Sequence, residues 1–94
     1  MIAATLDPDG RRVVLDEHGW SHIKGRRPQL ARSLREIMAA VREPDTRMPG
    51  RTDNEVWFFA EGAGSLRWLQ VVVHYEGGEG WIVTAFTRGS LPRR

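Results

Sequence analysis

Cysteine is absent from the 94 residues, which excludes disulfides, a thiolate nucleophile and any Cys-type zinc site. Lysine is almost absent, because Lys24 is the only one among 14 basic residues. No apolar run is long enough to span a membrane. The start, Met1-Ile2-Ala3-Ala4-Thr5-Leu6, is too short and uncharged for a secretory leader, so a cytoplasmic protein is expected. No glycine-rich phosphate loop leads into a helix, which leaves a nucleotide-binding fold without support. Internal repeats and low-complexity tracts are also missing. His18 and His22 stand four apart, yet Gly19 follows where a zinc hydrolase would place its glutamate. With no complete ligand set, neither a metal nor another cofactor is expected.

What is present fits one globular domain over residues 1–94, with 40% hydrophobic residues and four tryptophans. Arginine dominates the basic residues. Arg26, Arg27, Arg32, Arg35, Arg42, Arg47 and Arg51 fall within one third of the chain, which suits a polyanionic partner. A GC-rich coding bias is the competing explanation for so much arginine.

Residues 2–6 and 11–15 are β-prone runs around Asp7-Pro8-Asp9-Gly10, a hairpin signal. Asp16 is placed to cap a short helix over 17–24, with Gly25 ending it. Pro28 suits the first turn of a second helix reaching Glu43, where Pro44 stops it. Leu30, Leu34, Ile37, Met38 and Val41 form its apolar stripe. Residues 44–54 read as a polar loop, followed by strands at 55–61, 66–75 and 81–88. The expected class is α+β: an N-terminal hairpin and two helices packed on an antiparallel meander of three to four strands.

Alternation sorts the last strands into faces. Opposing Tyr75 to Trp81 puts Leu69, Val71, Val73 and Tyr75 with Trp81, Val83 and Ala85 on an apolar face. Trp68, Gln70, Val72 and His74 then share the other with Ile82, Thr84, Phe86 and Arg88. Pairing Glu61 with Leu66 adds Trp57 and Phe59 to this mixed face, whereas a one-residue slip would add Val56 and Phe58. Aromatics beside arginine and amide groups suit unstacked bases and phosphates. Cover by the N-terminal hairpin or by a partner would account for the same pattern.

Trp20-Ser21-His22-Ile23-Lys24-Gly25-Arg26-Arg27-Pro28 sets an imidazole and a guanidinium four residues apart at a helix seam. Imidazole moves protons near neutral pH, and guanidinium forks onto phosphate. This segment, with Val13-Val14-Leu15, Pro44-Asp45, Gly50-Arg51, Val71-Val72-Val73 and Val83-Thr84-Ala85-Phe86, resembles the phage-associated nucleases of the barnase/EndoU/colicin/RelE-like (BECR) superfamily. The resemblance runs from residue 11 to 88. It implies helices on an antiparallel sheet, metal-independent endoribonuclease activity on RNA, and often a toxin paired with a cognate antitoxin protein. It assigns catalysis to His22, Arg26, Arg51 and Thr84, while Arg27 and the mixed-face residues Trp68, Gln70, His74, Phe86 and Arg88 are expected to bind substrate, with His74 also a candidate second proton carrier. Arg27 stands where the pattern usually has a second histidine, and Phe86 where it often has tyrosine. Those departures keep open a non-catalytic RNA-binding module or a protein-interaction domain on the same scaffold.

Overall fold

Asp7-Pro8-Asp9-Gly10 turns the chain as its residue types predict. Gly10 takes φ +85°, and antiparallel strands β1 (Ala3–Leu6) and β2 (Arg12–Leu15) flank the turn. The structure is a computed structural model and describes residues 1–62 and 67–93. Helix α1 (Glu17–Arg26) opens with the Asp16 carboxylate accepting the Gly19 N–H at 2.8 Å. The helix passes through Gly25, the expected stop, and ends one residue later. The proline is what stops it: Arg27, preceding Pro28, leaves the helical region at φ −135° and ψ 76°.

The second helix also starts later than Pro28. A 3₁₀ turn over Pro28–Leu30 sets Leu30 into the core, and α2 follows at Leu34–Arg42. The expected stripe faces inward, with Leu30, Ile37 and Val41 buried and Leu34 and Met38 packed against them. The loop expected at 44–54 contains a strand, β3 (Thr46–Pro49), paired along the edge of β4 (Glu55–Glu61). Its polar, proline-bearing sequence is compatible with an edge position, where ladder hydrogen bonds are needed on one side only.

β5 (Trp68–Glu76) and β6 (Glu79–Arg88) complete one six-stranded sheet, ordered β1-β2-β6-β5-β4-β3. It is mixed: β2 runs parallel to β6, pairing Val13 with Gly80 and Val14 with Trp81. The N-terminal hairpin therefore extends the sheet and covers neither face. Beyond this short parallel ladder, α1 packs along β6. Gly19 makes that approach possible, since a Cβ there would lie 2.8 Å from the Ile82 carbonyl oxygen. Gly19→Ala is expected to cost about 1–3 kcal/mol by chemical denaturation, as for other overpacked sites. Gly25→Ala, whose Cβ would meet nothing within 4 Å, should instead stabilise the helix.

One end of the core is closed by a polar cluster. Tyr75 Oη donates to Asp7 Oδ2 at 2.7 Å, and the Arg11 guanidinium lies 3.9 Å from the Tyr75 ring centroid. Gly80, opposite Tyr75 on β6, leaves room for that ring. Arg47 on β3 reaches Asp9 at 2.9 Å, so the turn after β1 is tied to the far edge strand. The sheet is curled enough to bring its two edges into contact.

Candidate functional site

The β5–β6 hairpin turns through Gly77 and Gly78 alone, at φ +61° and +82°. Two successive positive φ values make the tight turn that matches strand twist. Tyr75 therefore opposes Gly80, and His74 opposes Trp81, which corrects the Tyr75–Trp81 pairing. Ile82 moves to the apolar face opposite Val73, and Trp81 moves to the mixed face. A bulge at Val83 then inserts one unpaired residue and restores the parity, so Val72 opposes Thr84, Gln70 opposes Phe86 and Trp68 opposes Arg88. On β4, Glu61 pairs with Trp68 and not with Leu66, which lies outside the described residues. The shift is two residues, so Trp57 and Phe59 keep the expected face.

Phe59 and Val72 are buried on this face without belonging to the main core cluster. Helix α2 packs on β1, β4 and β5 from the opposite side, where the core residues point. A cleft of about 340 Å³ opens on the mixed face, lined by Arg51, Glu55, Trp57, Gln70, Val72, Val83, Thr84, Phe86 and Arg88. Thus Arg51 and Thr84 meet in one cleft with Gln70, Phe86 and Arg88. Trp68 stands on the same face opposite Arg88 but does not line the cleft, and His74 lies toward the hairpin end opposite Glu55.

Local geometry sets the cleft's side chains. Glu55 folds over Gly50, where any Cβ would come within 2.5 Å of it. Its Oε1 accepts the Arg51 N–H at 2.9 Å and Trp57 Nε1–H at 2.9 Å, fixing both the loop and the indole. At the other end, Arg88 Nη1 donates to Gln70 Oε1 at 2.9 Å, and Arg88 Nε is buried without a partner among the described residues.

His22 lines a second pocket with Asp16, His18, Gly19, Trp81, Ile82 and Val83. Val83 lines both, so the pocket that His22 lines and the arginine cleft share one residue at the bulge. Arg27 approaches from the end of α1, its guanidinium 5.7 Å from the Phe86 ring centroid. The two positions at which the chain departs from the nuclease pattern therefore touch one another. Arg26 is exposed and lines neither pocket.

Charge pairing separates the arginines. Arg11, Arg12, Arg42, Arg47 and Arg67 each have an acidic partner, whereas Arg26, Arg27, Arg32, Arg35, Arg51, Arg88 and Arg93 have none among the described residues. Arg51 and Arg88 outnumber the Glu55 carboxylate in their cleft, and Arg27 stands nearby on Phe86, so this face carries a positive balance suited to an anion. No group of three or more metal-ligating side chains occurs among the described residues.

Sequence reasoning missed Glu55 and Val83. The carboxylate gave no signal because its role depends on folding back over Gly50. Val83 read as an ordinary core residue because a bulge is invisible to strict alternation. Comparison with protein-family models, curated proteins and solved structures finds no match.

Proposed function

We propose that this protein is a metal-independent endoribonuclease that holds single-stranded RNA across its arginine–aromatic face. The observation carrying this reading is the cleft that brings Arg51, Arg88 and Thr84 together, which shares Val83 with the pocket that His22 lines. A phosphodiester drawn to Arg51 and Arg88 would have Thr84 as a further donor and His22 at its flank. The 2′-oxygen attacks phosphorus, the bond to the 5′-oxygen breaks, and a 2′,3′-cyclic phosphate remains. Glu55 supplies a carboxylate in the same cleft to take the 2′-OH proton, and His22 delivers one to the departing oxygen. Arg51 and Arg88 stabilise the charge that builds on the phosphoryl oxygens. An active ribonuclease of this kind would act as a toxin, held in check by a cognate protein presenting carboxylates to this face.

A second reading is RNA binding without cleavage. The contact between Arg27 and Phe86 favours it, since a cation–π pair occupies the two positions where the nuclease pattern places titratable groups. Incubating the protein with loop-containing RNA in EDTA separates the two. Cyclic-phosphate ends support the enzyme. Salt-sensitive binding to RNA that stays intact supports the module, and the absence of both rejects the RNA reading altogether. Arg51→Ala and Arg88→Ala are each expected to reduce the slope of log affinity against log salt by about 1. A slope unchanged in both variants would remove phosphate contact from the cleft.

A further inference from the structure

Gln70 is only 2% exposed, yet it sits on the mixed face among aromatic and apolar neighbours rather than in the main core. A buried amide normally satisfies both of its ends. Here one end is fixed by chemistry. The Arg88 guanidinium has donors and no acceptor, so the Gln70 atom 2.9 Å from Arg88 Nη1 must be the oxygen. The amide cannot flip without placing two donors against each other. Its –NH₂ group has no hydrogen-bond partner among the described residues, and Gln70 lines the cleft. The Gln70 –NH₂ therefore offers the cleft a donor of fixed orientation, among the Trp57 and Phe86 side chains that also line it.

We propose that Gln70, locked by Arg88, reads the nucleobase seated in this cleft and selects the 4-keto group of uracil or the 6-keto group of guanine over the 4-amino group of cytosine or the 6-amino group of adenine. This inference rests on the RNA reading above. A keto oxygen accepts from the fixed amide. An exocyclic amino group would bring donor against donor and leave buried polar groups unpaired, which makes such sites selective. Phosphate contacts are the same for every base, so Arg51 and Arg88 supply affinity and Gln70 the choice.

The test uses 2′-O-methyl oligonucleotides, which cannot be cut by 2′-OH attack, compared at equal length and fixed salt by fluorescence anisotropy. Two pairs isolate the keto group: uridine against cytidine, and inosine against adenosine. The keto member of each pair is expected to bind about tenfold tighter, within the range one well-placed donor pair gives in base readout. Gln70→Met should erase both preferences, and Gln70→Glu, which replaces the donors by an acceptor, should reverse them. Equal affinities within both pairs for the unaltered protein would overturn base selection while leaving RNA binding in place. So would a preference that persists in Gln70→Met or Gln70→Glu. Absence of binding to all four oligonucleotides would reject base selection together with the RNA reading.

Discussion

Replacing His22 by alanine is expected to lower RNA cleavage by at least about a hundredfold, the lower end of what a positioned proton carrier contributes. The variant is informative because His22 is exposed and makes no hydrogen bond among the described residues, so its loss should leave stability unchanged. Affinity for uncleavable RNA should also stay near that of the unaltered protein, because the phosphate contacts come from Arg51 and Arg88. Single-turnover cleavage beside an anisotropy titration would check both statements. If binding collapsed together with cleavage, His22 would be a contact residue and not a proton carrier. Glu55→Gln offers the complementary measurement. It keeps an oxygen for the Arg51 N–H and Trp57 Nε1–H but removes the proton acceptor, so cleavage should fall while binding persists.

Asp7→Ala should destabilise the fold by about 3 kcal/mol, because it removes a buried charged acceptor with several donors around it. Asp7 is 4% exposed and accepts from the Tyr75 hydroxyl and from the Arg11 and Asp9 N–H groups at 2.9 Å or less. Burial alone would push its carboxyl up. The Tyr75 hydroxyl, the two backbone N–H groups and the Arg11 guanidinium outweigh that and hold it below its ordinary 3.8. A carboxyl lowered in the folded state stabilises fully above its unfolded value and loses that contribution as pH falls through the folded one. The difference between the unaltered protein and Asp7→Ala, measured by urea denaturation, should therefore be constant at neutral pH and shrink below about pH 4.

Tyr75 is shifted the opposite way, well above its ordinary 10.0, by burial first and then by its bond to Asp7. Its contribution is complete below pH 10 and is lost as pH rises through the folded value, so alkaline unfolding should begin there. Tyr75→Phe should cost about 1–2 kcal/mol, less than Asp7→Ala, because Asp7 keeps its backbone donors.

The hairpin at Asp7–Gly10, the cap at Asp16 and the stripe from Leu30 to Val41 are local, and residue types fix them: proline sets φ, glycine admits φ > 0, and a 3.6-residue period marks one helical face. The mixed face of β5 was legible for the same reason, whereas which alternate residues of β4 join it depended on register. The parallel pairing of β2 with β6, the strand at Thr46–Pro49 and the curl that joins Arg47 to Asp9 were not, because each depends on contacts between distant segments. Helix α1 lies close to β6 only because Gly19 meets the Ile82 carbonyl there. The bulge at Val83 is decided the same way. It corrects a register offset created by the two-residue turn, and thereby returns Thr84, Phe86 and Arg88 to the face of Gln70. Sequence by itself thus determined which residues carry charge, protons and aromatic surface. Tertiary structure alone decided that Arg51, Gln70, Thr84 and Arg88 share a cleft, that the pocket of His22 shares Val83 with it and that Arg26 lines neither, because side-chain placement across a sheet follows register and strand packing, which no single segment encodes.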